Sequence, residues 1–151
     1  MRTYEPWRYP TKEEILKVPV PHKKATVQTV LRWKLSHKRL NNEIALYDLI
    51  TDLAKVYGVK VNIEFGKPYA CFVPATNTIQ LNNRSILTAL HEFSHKVYGS
   101  SERQACRWSA WLFMKCFPER MRKLEWDGHL LVAKKPYANT NPRKPAATIR
   151  G

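Results

Sequence analysis

Residues 91–95 read His-Glu-Phe-Ser-His: two imidazoles with three residues between them, and a carboxylate beside the first. Residues four apart share one face of an α-helix, so both rings can point at a single metal ion. Glu92 lies about 100° round the helix from His91, within reach of a water on that ion without ligating it. This HExxH spacing suits metal-assisted hydrolysis. The ion lowers the pKa of its water towards about 7, and the glutamate takes the proton.

A catalytic zinc site needs a third protein ligand and keeps one position open. Glu102 follows His95 by seven residues and opens the next helical pattern, with Gly99 ending the helix before it. A turn through Gly99-Ser100-Ser101 would fold Glu102 back over the histidine face. An acid at this position also suits the positive end of its own helix, and the two roles are compatible. The expected set is therefore His91, His95 and Glu102 as ligands to one Zn2+ per chain, with Glu92 as general base. His129, in Trp126-Asp-Gly-His129, is the other downstream candidate.

The elements that must position these residues are legible from periodicity. Around the HExxH helix, predicted over Ser85–Tyr98, Ile86, Leu90, Phe93 and Val97 cluster opposite the histidines, giving a core face and a separate histidine face. A second helix from Glu102 to Cys116 buries Ala105, Trp108, Ser109 and Leu112, a stripe at i, i+3, i+4, i+7. Trp108 and Trp111 read as packing residues. Cys106 falls on the Glu102 side of that helix and reads as a buried small residue or a neighbour of the metal.

Upstream, Thr11-Lys-Glu-Glu14 is a capping box ahead of a short helix, which Pro19 and Pro21 stop. A helix over Thr26–Leu40 is expected to bury Val27, Val30, Leu31 and Leu35. Another runs from residue 42 to Tyr57 through Leu46, Leu49, Ile50 and Leu53, with Gly58 as its stop. The period then falls to two: Val59, Val61, Ile63 and Phe65 alternate with polar residues. Two more short strands, Tyr69–Val73 and Thr78–Asn82, follow at Gly66-Lys67-Pro68 and Pro74–Asn77 turns. Residues 122–133 read as one more helix or strand. The expected fold is α+β, a small and mainly antiparallel three-stranded sheet packed on the HExxH helix and its flanking helices.

The chain has 151 residues, a formal net charge of +14, 44% hydrophobic and 11% aromatic residues, which excludes a disordered basic tail protein. No apolar run approaches the roughly 18–20 residues of a membrane span, and the polar, proline-broken start lacks a signal-peptide pattern. Cys71, Cys106 and Cys116 form no CxxC pair, so a reduced, cytoplasmic setting is expected. The charge divides the chain into a basic N-terminal helical arm (1–41), a core (42–133) and a basic tail (134–151) rich in Pro, Asn, Ala and Lys. Such arms meet phosphate backbones or serve as well-hydrated surface.

Over roughly residues 42–118 the chain resembles the ImmA/IrrE group of zinc metallopeptidases. The likeness lies in a helix, a short sheet ending in Asn-Thr-Ile-Gln-Leu-Asn, the HExxH helix, and a following helix led by Glu102. Members typically carry an Asn four residues after that Glu, and an Ala-rich stretch ending in Leu-Leu-Met-Pro. Here Cys106 stands at the Asn position, and Leu112-Phe113-Met114 is followed by Lys115, with the proline at Pro118. The resemblance implies a minimal zincin-like domain, zinc on His91, His95 and Glu102, and regulated cleavage of a repressor-type partner in phage or mobile-element settings. It also implies an edge strand, Thr78, Ile79, Gln80 and Leu81, that pairs with an extended substrate. Tyr69, Tyr98 and Tyr137 are candidates to stabilise the oxyanion.

Metzincins, HExxHxxGxxH, place Gly and His earlier than Gly99 and Glu102 and use His as third ligand. SprT-type proteases, basic and DNA-associated, use a third His downstream, for which His129 would serve. Three functions follow as expectations: a zinc endopeptidase acting on a specific protein such as a DNA-bound regulator; a DNA-dependent protease of SprT type; or a nucleic-acid-binding protein whose zincin-like domain is inactive or merely structural. Retention of Glu92 favours the enzymes, because a structural site has no use for a general base.

Overall fold

The computed structural model describes residues 11–127 and 130–133. His129, Tyr137, the first ten residues and the tail 134–151 lie outside the described residues.

Thr11 begins the first helix as the capping box requires, its hydroxyl accepting the Glu14 N–H at 3.2 Å. This helix, α1 (Lys12–Leu16), buries Ile15. The second, α2, spans Lys23–Ser36, starting and ending earlier than its apolar pattern predicts. Its buried residues are Thr26, Thr29, Val30 and Trp33, whereas Leu31 and Leu35 are 39% and 88% exposed. The expected leucine stripe is thus corrected, and Trp33 supplies the reason. Its indole N–H donates to the Ala45 carbonyl at 2.7 Å inside the core. Seating that large side chain inward leaves positions 31 and 35, each about 200° away, facing solvent.

The third helix, α3 (Glu43–Tyr57), matches its prediction at both ends. Asn42 caps the Ala45 N–H at 2.8 Å. Gly58, at φ 64°, closes the other end in the left-handed conformation that glycine adopts without a Cβ penalty.

The sheet departs from expectation in order and direction. Its strands are β1 (Asn62–Glu64), β2 (Cys71–Val73) and β3 (Thr78–Gln80), arranged β1-β3-β2. β2 and β3 form an antiparallel hairpin, while β1 runs parallel to β3, so Ile63, Ile79 and Phe72 share one register row. The sheet is mixed rather than mainly antiparallel, and β3 is its centre rather than its edge. Asn77 decides this. Left-handed at φ 53°, it closes the turn after β2, and its side chain donates to the Lys60 carbonyl at 2.8 Å. Its own carbonyl accepts the Asn62 N–H at 2.8 Å, which starts β1 beside β3 in the same direction.

Two long helices follow, α4 (Ile86–Tyr98) and α5 (Glu102–Cys116), capped by Ser85 and Ser101. A short α6 (Pro118–Met121) leads to an antiparallel pair of strands, β4 (Leu124–Asp127) and β5 (Leu130–Ala133), so this stretch contributes strands rather than a helix. Ile15, Val18, Val30 and Trp33 belong to the same buried cluster as Leu49, Phe93 and Trp108. From residue 11 onward the basic N-terminal segment therefore packs into the core instead of standing off from it. The architecture is α+β. Among the described residues no helix is long and apolar enough to cross a membrane.

Candidate metal centre

The site is built on α4, the turn after it, and the first residue of α5. Ile86, Ala89, Leu90 and Phe93 bury one side of α4 and fix its rotation, so His91 and His95 face outward together. Their rings meet edge to face, with centroids 5.0 Å apart. Gly99, at φ 91° and ψ −155°, makes the sharp exit that a side chain would strain. Ser101 then caps α5 by accepting the Gln104 N–H at 3.1 Å, which sets Glu102 as the first helical residue.

Glu102 folds back over the histidine face as the turn predicts. One carboxylate oxygen lies 3.1 Å from His91 Nε2 and the other 2.7 Å from His95 Nε2. One ligand atom from each of the three side chains falls within 4.8 Å of the others. Zinc–nitrogen and zinc–oxygen bonds of about 2.0–2.2 Å in tetrahedral geometry require ligand atoms roughly 3.3 Å apart, so the widest spacing of the set would close by about 1.5 Å around a zinc ion.

Both rings are also held from behind. His95 Nδ1 lies 2.7 Å from the Gly99 carbonyl, an acceptor only, so this nitrogen must carry the proton. That leaves Nε2 facing the Glu102 carboxylate at 2.7 Å. His91 Nδ1 has Cys106 Sγ behind it at 3.7 Å, and Cys106 is 2% exposed. Burial lowers the pKa of His91 from its ordinary value, against the pull of Glu102, favouring the neutral imidazole that ligates metals.

Glu92 is 7% exposed and lines the same cleft. Burial pushes its carboxyl up to about 7, the charge of Glu102 adding to the shift and His95 opposing it. The cleft encloses about 570 Å³. Ala70, Cys71, Phe72, Lys96 and Ser100 also line it.

Of the sequence-derived site, His91, Glu92, His95 and Glu102 come together. Thr78, Ile79, Gln80 and Leu81 do not line the cleft, and β3 cannot serve as the substrate-pairing edge. Its main chain is engaged on both sides: it pairs with β2, and the Leu81 N–H beyond it donates to the Glu64 carbonyl at 2.9 Å. The outer strand beside the cleft is β2 instead. Tyr69 and Tyr98 are not cleft residues either: Tyr69 is 72% exposed, and the Tyr98 ring packs against Trp108. The Gly99 carbonyl, Phe72 and Lys96 were not singled out from the sequence. The one local signal was Gly99 as a helix stop.

No family model, curated protein or solved structure matches the chain.

Proposed function

We propose that this chain is a zinc-dependent metallopeptidase with a minimal zincin-like domain of ImmA/IrrE type, hydrolysing peptide bonds in a specific protein. The observation that carries the reading is the convergence of two imidazole Nε2 atoms on one carboxylate, with buried Glu92 in the same cleft. Zinc held by His91, His95 and Glu102 would supply Lewis-acid polarisation of the carbonyl and activation of the attacking water.

The protein's own groups do the rest. Glu92 accepts the proton that water loses as its oxygen attacks the peptide carbon, and returns it to the amine nitrogen as the C–N bond breaks. Its burial keeps bulk water from competing for that proton. The Gly99 carbonyl and Cys106 Sγ hold the two rings so that Nε2, not Nδ1, faces the reaction. The outer edge of β2, unpaired among the described residues, offers main-chain groups to an extended substrate. A DNA-bound regulator is the target class that the family resemblance implies, and a basic protein of net charge +14 is suited to reach it.

Zinc stoichiometry tests the reading. Wild-type protein purified without added metal should hold about one zinc per chain, His91→Ala and Glu102→Ala should hold none, and His129→Ala should keep it. Glu92→Gln should retain zinc yet lose peptide hydrolysis by about 10²–10⁴-fold. No zinc in wild type after reconstitution would remove the peptidase and leave a basic binding protein. Loss of zinc in His129→Ala, with Glu102→Ala harmless, would transfer the site to the SprT-type arrangement.

A further inference from the structure

Lys96 follows His95 on α4 and lines the metal cleft. Its ammonium group lies 5.9 Å from the centre of the Phe72 ring on β2, whose outer edge is unpaired among the described residues. A cation over an aromatic face is attracted to the ring, which holds the flexible lysine stem across the cleft. Among the described residues no carboxylate forms an ion pair with Lys96.

The charges around the cleft then assign Lys96 a consequence. His91, Glu92, His95, Lys96 and Glu102 are its titratable side chains apart from Cys71. Lys96 is the one lysine or arginine among the cleft-lining residues, so a peptide side chain entering beside Phe72 meets an ammonium group. An extended peptide paired with the outer edge of β2 would run past Phe72 and Lys96, so one of its side chains would meet this cation beside the apolar ring. The positive field of the whole chain acts in the same direction, drawing acidic segments inward.

We infer that Lys96, braced on Phe72, selects substrates with an aspartate or glutamate at a fixed position next to the scissile bond. This rests on the peptidase reading above and adds the chemical class of the peptide.

A library of decapeptides blocked at both ends tests the inference, because it offers side-chain carboxylates and no terminal one. Cleavage sites would be mapped by mass spectrometry for zinc-loaded wild type, Lys96→Ala and Lys96→Glu. The same library would be passed over immobilised, zinc-loaded Glu92→Gln with and without each Lys96 substitution, and retained peptides sequenced. Wild type should enrich Asp or Glu about fivefold at one position, the upper range of a partly exposed ion pair. Lys96→Ala should abolish the enrichment at unchanged zinc content, and Lys96→Glu should replace it with Lys or Arg. Cleavage with no acidic preference, or with a preference that survives Lys96→Ala, would overturn the inference while the peptidase stands. Retention of acidic peptides dependent on Lys96, without cleavage by wild type, would uphold the selectivity and overturn the peptidase. Neither cleavage nor retention would overturn both.

Discussion

At the residue scale, the proposed centre leans on side chains outside its candidate ligand set. Cys106 stands where the resembling family has Asn, and its sulfur takes the place behind His91 Nδ1 that a carboxylate or carbonyl commonly fills. Sulfur is a weak acceptor, so the hold is soft but directional. Cys106→Ala should weaken zinc binding by about 10–100-fold, the usual effect of removing an outer-shell partner. Cys106→Ser, which restores an acceptor, should recover part of that loss. Competition with a chromophoric chelator would measure both, and an unchanged affinity in Cys106→Ala would show that His91 needs no support there. The residue types and spacing His91, Glu92, His95 and Glu102 were legible beforehand, because helical geometry turns a four-residue interval into a shared face. Cys106 was legible only as lying on the right side of its helix. The 3.7 Å contact depends on how closely α5 approaches α4, which no spacing encodes.

The element scale is where the ligands acquire their positions. Ser101 caps α5 immediately before Glu102, and Arg103 on the same first turn bonds Glu14 of α1. Ser101→Ala should cost about 1 kcal/mol in urea unfolding. It should also lower zinc affinity, because the turn that frays carries Glu102, the proposed third ligand; unchanged affinity would mean that α1 alone holds the helix end.

A separate tie joins α2 to α3. His37, just past the end of α2, faces the Trp33 carbonyl through Nδ1 at 2.8 Å and Asp48 through Nε2 at 2.9 Å. Both neighbours accept hydrogen bonds, so the doubly protonated ring satisfies them best. Asp48 first, then the Trp33 carbonyl, raise the pKa of His37 from its ordinary value. A raised folded-state pKa gives stability that is fully present below about 6.5 and is lost as pH rises through the folded value. Melting temperatures at pH 6 and pH 8 should therefore differ more in wild type than in His37→Gln. Equal differences would show that the pair contributes nothing to pH-dependent folding.

For the molecule as a whole, one buried cluster runs from Ile15 to Phe117 and includes residues of α1 to α5 and β3. Trp33 and Trp108 are among its largest fully buried side chains, and the Phe93 ring packs against Trp108 tilted by 37°, with centroids 5.9 Å apart. Such a core should unfold cooperatively, and a ligand bound only to the folded state should raise the transition. Zinc at about 100 times its Kd contributes about 2.7 kcal/mol. Chelation should thus lower Tm by roughly 5–10 °C for a chain of this size. Scanning calorimetry with and without chelator would show it, and His91→Ala should be indifferent to chelator.

The limits of sequence reading follow from the same physics. Helices α3, α4 and α5 were determined locally, since their apolar periods, the Asn42, Ser85 and Ser101 caps and the Gly58 and Gly99 stops all act within a turn or two of the chain. With them came the facing of the two histidines and the return of Glu102. The rotation of α2 was decided by Trp33 reaching the Ala45 carbonyl, a contact twelve residues away that outweighed two leucines at ideal spacing. The order β1-β3-β2 was decided by the hydrogen bonds of Asn77 to Lys60 and Asn62. A period of two tells which face of a strand is buried but not which strand lies beside it. That choice put β3 in the centre of the sheet and β2 on the side of the cleft.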